Sequence, residues 1–150
     1  MLAARRGTIV TVSSVLGHLG AANLSAYTAS KAALLAMHAS LRAELAQQHA
    51  DAAIKTILVT PGQMGTQMFA DVKPPSRFFG PTVTPAEAAR AIIKMVEKGE
   101  SGEIALPLYS RYVQWLGVLP FGVQAVARRW SGLDSAVPSK GTGRVQGEKR

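Results

Sequence analysis

Apolar residues fall along this 150-residue chain in three short, nearly unbroken runs, with helical periodicity between them. GTIVTVSS (7–14) and AIKTILVT (53–60) are β-branched and almost continuously apolar, the pattern of parallel strands buried on both faces. GEIALP (102–107) predicts a third, shorter strand. Residues 25–48 predict a long helix with Ser25 or a neighbour as its cap, kept narrow by Ala29, Ala32, Ala33, Ala36 and Ala39 so that it packs closely. PAEAARAIIKMVEKG (85–99) predicts another, with proline at its entrance and glycine at its exit. Strand, helix, strand, helix, strand, with crossovers of this length, argues for right-handed βαβ units: an α/β fold with a parallel sheet and helices on its faces.

Two stretches fall outside that alternation. GQMGTQMFADVKPPSRFFGPTVT (62–84) is a long connection at the carboxyl end of the second strand, where open α/β sheets bind ligands, and Met64, Met68, Phe69, Phe78 and Phe79 favour a lid over a solvated insertion. LYSRYVQWLGVLPFGVQAVARRW (108–130) mixes aromatic and aliphatic residues with a basic end. Its apolar runs are shorter than the roughly 20 residues of a bilayer span, and Pro120 interrupts any helix through it. Two readings stand open: the segment lies on a membrane surface, or it forms a helix pair that closes a pocket. From 138 onward no apolar periodicity remains, which predicts a disordered tail. The expected regions are therefore 1–107, an α/β unit; 108–137, an apolar and basic helical extension; and 138–150, the tail.

Composition narrows the chemistry. With no cysteine there is no disulfide framework, thiol nucleophile or thiolate metal site. His18, His38 and His49 lack metal-ligand spacing, so no metal is expected. The net charge of +8 is concentrated in Arg5 and Arg6 and in the basic residues from Arg128 to Arg150, which suits an anionic partner. No aromatic-basic platform or recognition helix accompanies these charges, so a solvated face or anionic lipid is expected rather than nucleic acid. MLAARRGTIV places its charges after a very short apolar start, the reverse of a secretory layout, so the expected location is intracellular, cytoplasmic or peripheral on an internal membrane.

Tyr27 and Lys31 stand four residues apart at the start of the alanine-rich helix, on one face and within reach of each other. Ser14 ends the first strand thirteen residues before the tyrosine. This conjunction of VSS and YTASK resembles the classical short-chain dehydrogenases/reductases. GTIVTVSS looks like that family's fifth strand, the alanine-rich helix like its dimerisation helix, VTPGQMGT like its segment after the sixth strand, and MLAARRG like the end of the preceding helix. The resemblance, running through about residue 107, implies the carboxyl-terminal part of a Rossmann-like doubly wound sheet. It implies that Ser14 orients the substrate oxygen, Tyr27 is the acid/base and Lys31 its activator, with Tyr27, Lys31, Pro61, Gly62 and Thr66 against the nicotinamide end of NAD or NADP. The chemistry suits these residue types: a phenol ordinarily titrates near about 10, and a neighbouring ammonium favours its ionised form. Ser13 lies one register out, and Ser25 reads as a cap rather than a catalyst.

Neither GHLG nor GQMG stands where the family's glycine-rich dinucleotide turn belongs, and its N-N-A-G segment and catalytic asparagine are not among these residues. The 150 residues alone are thus expected to be inactive and, with an apolar sheet edge uncovered, poorly stable; an incomplete gene model is the simplest explanation. The placement of 108–130 after the last strand resembles membrane-associated retinol, hydroxysteroid and long-chain alcohol dehydrogenases, which implies a lipophilic alcohol, ketone or aldehyde substrate. A homo-oligomer through helix 25–48 is also implied. The alternative is a catalytically silent fragment serving as an interaction or membrane-surface module.

Overall fold

Three parallel strands carry the fold in the computed structural model, which describes residues 1–50, 53–65 and 82–131. β2 (Ile54–Pro61) lies between β1 (Gly7–Val12) and β3 (Gly102–Leu106). The register aligns Thr11 with Leu58, and Leu58 with Glu103. Because side chains alternate along a strand, Thr11, Leu58 and Glu103 share one face, while Ile57, Val59 and Ile104 share the other.

The two longer helices cover opposite faces. α1 (Ser25–Gln47) packs on the Thr11 face through buried His38 and Leu45. α2 (Pro85–Lys98) lays Ala91, Ile92 and Met95 on Ile57, Val59 and Ile104, the apolar centre of the molecule. Thr84 caps α2: its hydroxyl accepts from the Glu87 backbone, and the Glu87 carboxylate accepts from Thr84 in return, which holds that carboxyl below its usual range. Gly99 ends α2 in the left-handed region at φ 65°. The parallel α/β order read from the sequence is thus the observed one.

Several expectations need correcting. Only β2 is buried along both faces; β1 leaves Val10 and Val12 exposed, Val12 by 42%. The reason is position: β1 is an edge strand here, and among the described residues no helix covers that face of it. MLAARRG does not form a helix end but a turn closed by Arg5 N–H on Leu2 O at 3.0 Å, with Arg5 at φ 46°; so short a segment cannot sustain a helix unaided. Of Ser25 or a neighbour as cap, the structure has the neighbour: Leu24 holds the cap position without a side-chain bond, and Ser25 is the first helical residue. The interruption expected at Pro120 is present: α3 (Ser110–Leu116) and α4 (Phe121–Ser131) are separated by residues 117–120. Of the expected lid, Met64 bridges to Val83, while Met68, Phe69, Phe78 and Phe79, like the tail from 138, lie outside the described residues.

His38 offers a direct test of the α1 seam. Its Nδ1 is hydrogen-bonded to Thr11 Oγ1 at 3.0 Å, and its buried Nε2 has no partner among the described residues. A charged ring would need an acceptor at both nitrogens. Burial therefore lowers its pKa below the usual 6.5; Arg42 pushes the same way, and Glu103 opposes them. The unfolded chain then takes up the proton first, so this contribution to stability is complete above 6.5 and is lost as pH falls from there through the lowered folded value. Urea midpoints measured across this window should fall for the wild type and fall less steeply for His38→Gln; equal slopes would show that the ring is not held neutral.

Candidate active site

The carboxyl ends of β1 and β2 and the first turns of α1 meet at one edge of the sheet. Ser13 and Ser14 follow β1 in extended conformation, Ser13 N–H donating to Val59 O at 2.8 Å as a last rung of the ladder. Strand alternation then sends the two side chains opposite ways. Ser13, on the α1 face, donates its hydroxyl to the Lys31 carbonyl at 2.8 Å. Ser14 turns toward β2, donating to Pro61 O at 3.4 Å while accepting from Leu16 N–H at 3.2 Å, which caps a single 3₁₀ turn at Val15–Gly17. Both serines are buried.

That turn presses directly on α1. A Cβ at Gly17 would sit 2.9 Å from Leu35 Cδ1, 3.0 Å from the Lys31 carbonyl carbon and 3.1 Å from its oxygen. Only glycine lets the backbones come so close. Lys31 is thereby held twice: its carbonyl accepts from Ser13, and its ammonium donates to Val12 O at 3.3 Å. The ammonium also lies over the Tyr27 ring, 5.6 Å from its centroid, within cation–π range. Tyr27 and Lys31 are both partly exposed, so this cation and phenol face a rim that a ligand can reach.

Pro61 and Gly62 close the second side. Gly62 N–H donates to Leu106 O at 2.6 Å, tying the end of β2 to the end of β3. Ser110, the first residue of α3, is buried beside Gly62, and its hydroxyl has no partner among the described residues. The structure thus joins Ser14 to Pro61, and Tyr27 to Lys31, along one sheet edge, whereas Thr66 lies outside the described residues. Sequence reasoning set Ser13 aside and did not reach Ser110. The period-2 alternation of VSS was the available signal for Ser13, since it must point at α1 if Ser14 does not.

The profile of the family described as short chain dehydrogenase matches residues 1–76. Among curated proteins, the chain is 40% identical over 136 residues to the uncharacterized oxidoreductase TDA5 of Saccharomyces cerevisiae, covering 91% of this chain and 41% of that one. It is 34% identical over 137 residues to the uncharacterized oxidoreductase YDL114W of the same yeast, covering 89% and 44%. The chain therefore spans less than half the length of these relatives. Among solved structures, a short chain dehydrogenase from Burkholderia cenocepacia in complex with NADP superposes with a TM-score of 0.62 at 26% identity, over 85% of this chain and 50% of that one.

The Gly17 contact sets a stability test. Gly17→Ala must push the 3₁₀ turn off Lys31 or displace Leu35, an overpacking cost of about 1–3 kcal/mol. Gly20→Ala meets nothing nearer than Thr28 Cγ2 at 3.6 Å and should stay within about 0.5 kcal/mol. Chemical denaturation of the two variants should separate them in that order.

Proposed function

Because the chain belongs to the short-chain dehydrogenase/reductase family, we propose that it supplies the catalytic serine, tyrosine and lysine of an NAD(P)-dependent oxidoreductase acting on a lipophilic alcohol, ketone or aldehyde. The observation that carries this reading is the Lys31 ammonium over the Tyr27 ring, bonded to the end of the strand that continues into Ser14.

The residues present fit a nicotinamide nucleoside. An ammonium has three N–H donors and Lys31 uses one on Val12 O, which leaves donors for ribose hydroxyls. Tyr27 and Lys31 would hold the ribose, with Pro61, Gly62 and Thr66 against the nicotinamide. The cofactor, NAD or NADP, supplies or accepts the hydride when bound. In oxidation Tyr27 Oη takes the proton of the substrate hydroxyl, and in reduction it gives that proton to the carbonyl oxygen. Lys31 stabilises the phenolate side of that exchange, and the Ser14 hydroxyl donates to the same substrate oxygen, most strongly as negative charge develops there. For Ser14 this means exchanging Pro61 O, a long bond at 3.4 Å, for the substrate.

Substrate class is supported by the apolar side chains of α3, which packs against β2, β3 and the 3₁₀ turn after Ser14. Pairing of two copies through α1 is supported by its exposed row of Ala29, Ala33, Ala36 and Met37, small enough for close helix contact. Peripheral attachment to an internal membrane belongs to the same reading, and no helix among the described residues is long and apolar enough to cross one.

The test is kinetic. In the longest natural polypeptide that contains residues 1–150, NAD(P)-linked turnover of apolar alcohols and carbonyls should fall about 10²-fold or more in Tyr27→Phe, since general acid–base catalysis contributes on that scale. Thermal melting should be unchanged. Wild-type kinetics in the variant would overturn the assignment, and absence of turnover in the unmodified protein would favour a silent interaction module.

A further inference from the structure

The α3–α4 pair carries more exposed apolar surface than closing a pocket requires. Gln124 Nε2 donates to Leu119 O at 2.7 Å and to Gly117 O at 3.3 Å, which pins the start of α4 onto the turn before it. With Gln124, Ala127 and Arg128 turned partly inward, the other positions from Phe121 to Trp130 are exposed. Phe121 is 85% exposed, Trp130 79% and Trp115 64%, with Tyr112, Val118 and Val126 beside them. Val123, Val126 and Trp130 recur at helical spacing, so the outer side of α4 is an apolar stripe, with exposed Leu119 in the turn just before it. Isolated exposed apolar residues need no explanation, but so many on two successive helices joined by Gln124 point to an interaction surface.

Charge identifies the occupant. Residues 108–131 contain Arg111, Arg128 and Arg129 and no carboxylate, within a chain of net charge +8. We propose that the outward side of α3 and α4 docks on an anionic lipid surface. The aromatic rings enter the headgroup boundary, where the indole N–H and phenol O–H remain in polar surroundings, and the exposed guanidinium groups of Arg111 and Arg129 meet lipid phosphate and carboxylate. The charged residues of this surface are all arginine, spread over both helices beside exposed aromatic rings, which is the composition that suits an anionic lipid plane.

The location gives the contact a consequence. A Cβ at Gly117 would lie 3.5 Å from His18 O, so the hairpin borders the loop that leads from Ser14 to Tyr27. A substrate dissolved in the bilayer would arrive beside the reacting hydroxyls. This consequence rests on the lipophilic-substrate reading above; the docking does not.

The chain contains two tryptophans, Trp115 and Trp130, and both sit in this hairpin, so intrinsic emission reports on it alone. The 150-residue chain is titrated with phosphatidylcholine vesicles, with and without phosphatidylserine. Serine-lipid vesicles should give a blue shift and quenching by brominated acyl chains, weakened as salt rises from about 0.1 M to about 1 M. Free glycerophosphoserine should not reproduce the shift. Phe121→Ser with Val126→Ser should weaken partitioning about tenfold or more. Arg111→Gln with Arg129→Gln should abolish the preference for anionic lipid. No shift with anionic vesicles, equal binding to neutral ones, or a blue shift that grows with protein concentration in the absence of lipid would overturn the proposal, the last by making a second copy the occupant. Tyr27→Phe should bind vesicles as the wild type does, so failure of the catalytic reading and failure of docking are separable.

Discussion

The structure turns on how α1 is held to the end of β1. Three contacts converge on one turn of helix: the Ser13 hydroxyl on the Lys31 carbonyl, the Gly17 backbone against the same peptide, and the Lys31 ammonium on Val12 O. A helix packed only by alanine and leucine could slide along the sheet at little cost in buried area, because dispersion and burial are not directional. Hydrogen bonds are directional, and at this point they fix the register. The same contacts bring Lys31 to the strand end from which Ser14 departs, so the fold's local lock and the candidate chemistry share their atoms.

The seam continues away from the site. One turn pair further along α1, His38 bonds to Thr11 in the buried layer, and the row across the sheet leads through Leu58 to Glu103. Thr60 donates to the Glu103 carboxylate at 3.2 Å, which couples β2 to β3 on that face. The face under α1 is thus unusually polar, with Thr11, Ser13, Thr56 and Thr60 all buried, whereas the face under α2 is aliphatic. The polar face specifies position and the aliphatic one supplies burial.

Much of this was legible in the sequence for identifiable reasons. β2 and α2 carry strong, local signals: a run rich in β-branched residues and interrupted only by Lys55 and Leu58 for the central strand, and a threonine, proline and glycine set for the helix ends. The Ser14, Tyr27 and Lys31 spacing could be read because strand and helix periods convert sequence intervals into direction. The exposure of Val10 and Val12 could not be read from GTIVTVSS itself, because burial of a strand depends on what covers it and not on its own composition; the expected uncovered sheet edge came from the resemblance. The cap of α1 falls on Leu24, the neighbour of Ser25, since a capping side chain is a preference and the turn from Ala21 through Leu24 settles the entry without one. Ser13 was hidden by its neighbour: two adjacent serines look redundant in sequence and do opposite things in space. Ser110 gave no signal, being one hydroxyl in an aromatic segment whose burial arises from contact with a loop some fifty residues earlier.

The central claim is that Ser14 and Tyr27 act on one substrate oxygen, held together by the turn that Lys31 anchors. Groups that act as a unit lose their effects non-additively, so the direct measurement is a double-mutant cycle on kcat in the longest natural polypeptide containing residues 1–150. The account predicts that Ser14→Ala combined with Tyr27→Phe is scarcely slower than Tyr27→Phe alone. Losses that multiply would contradict it, because they would mean that the two hydroxyls act at separate places.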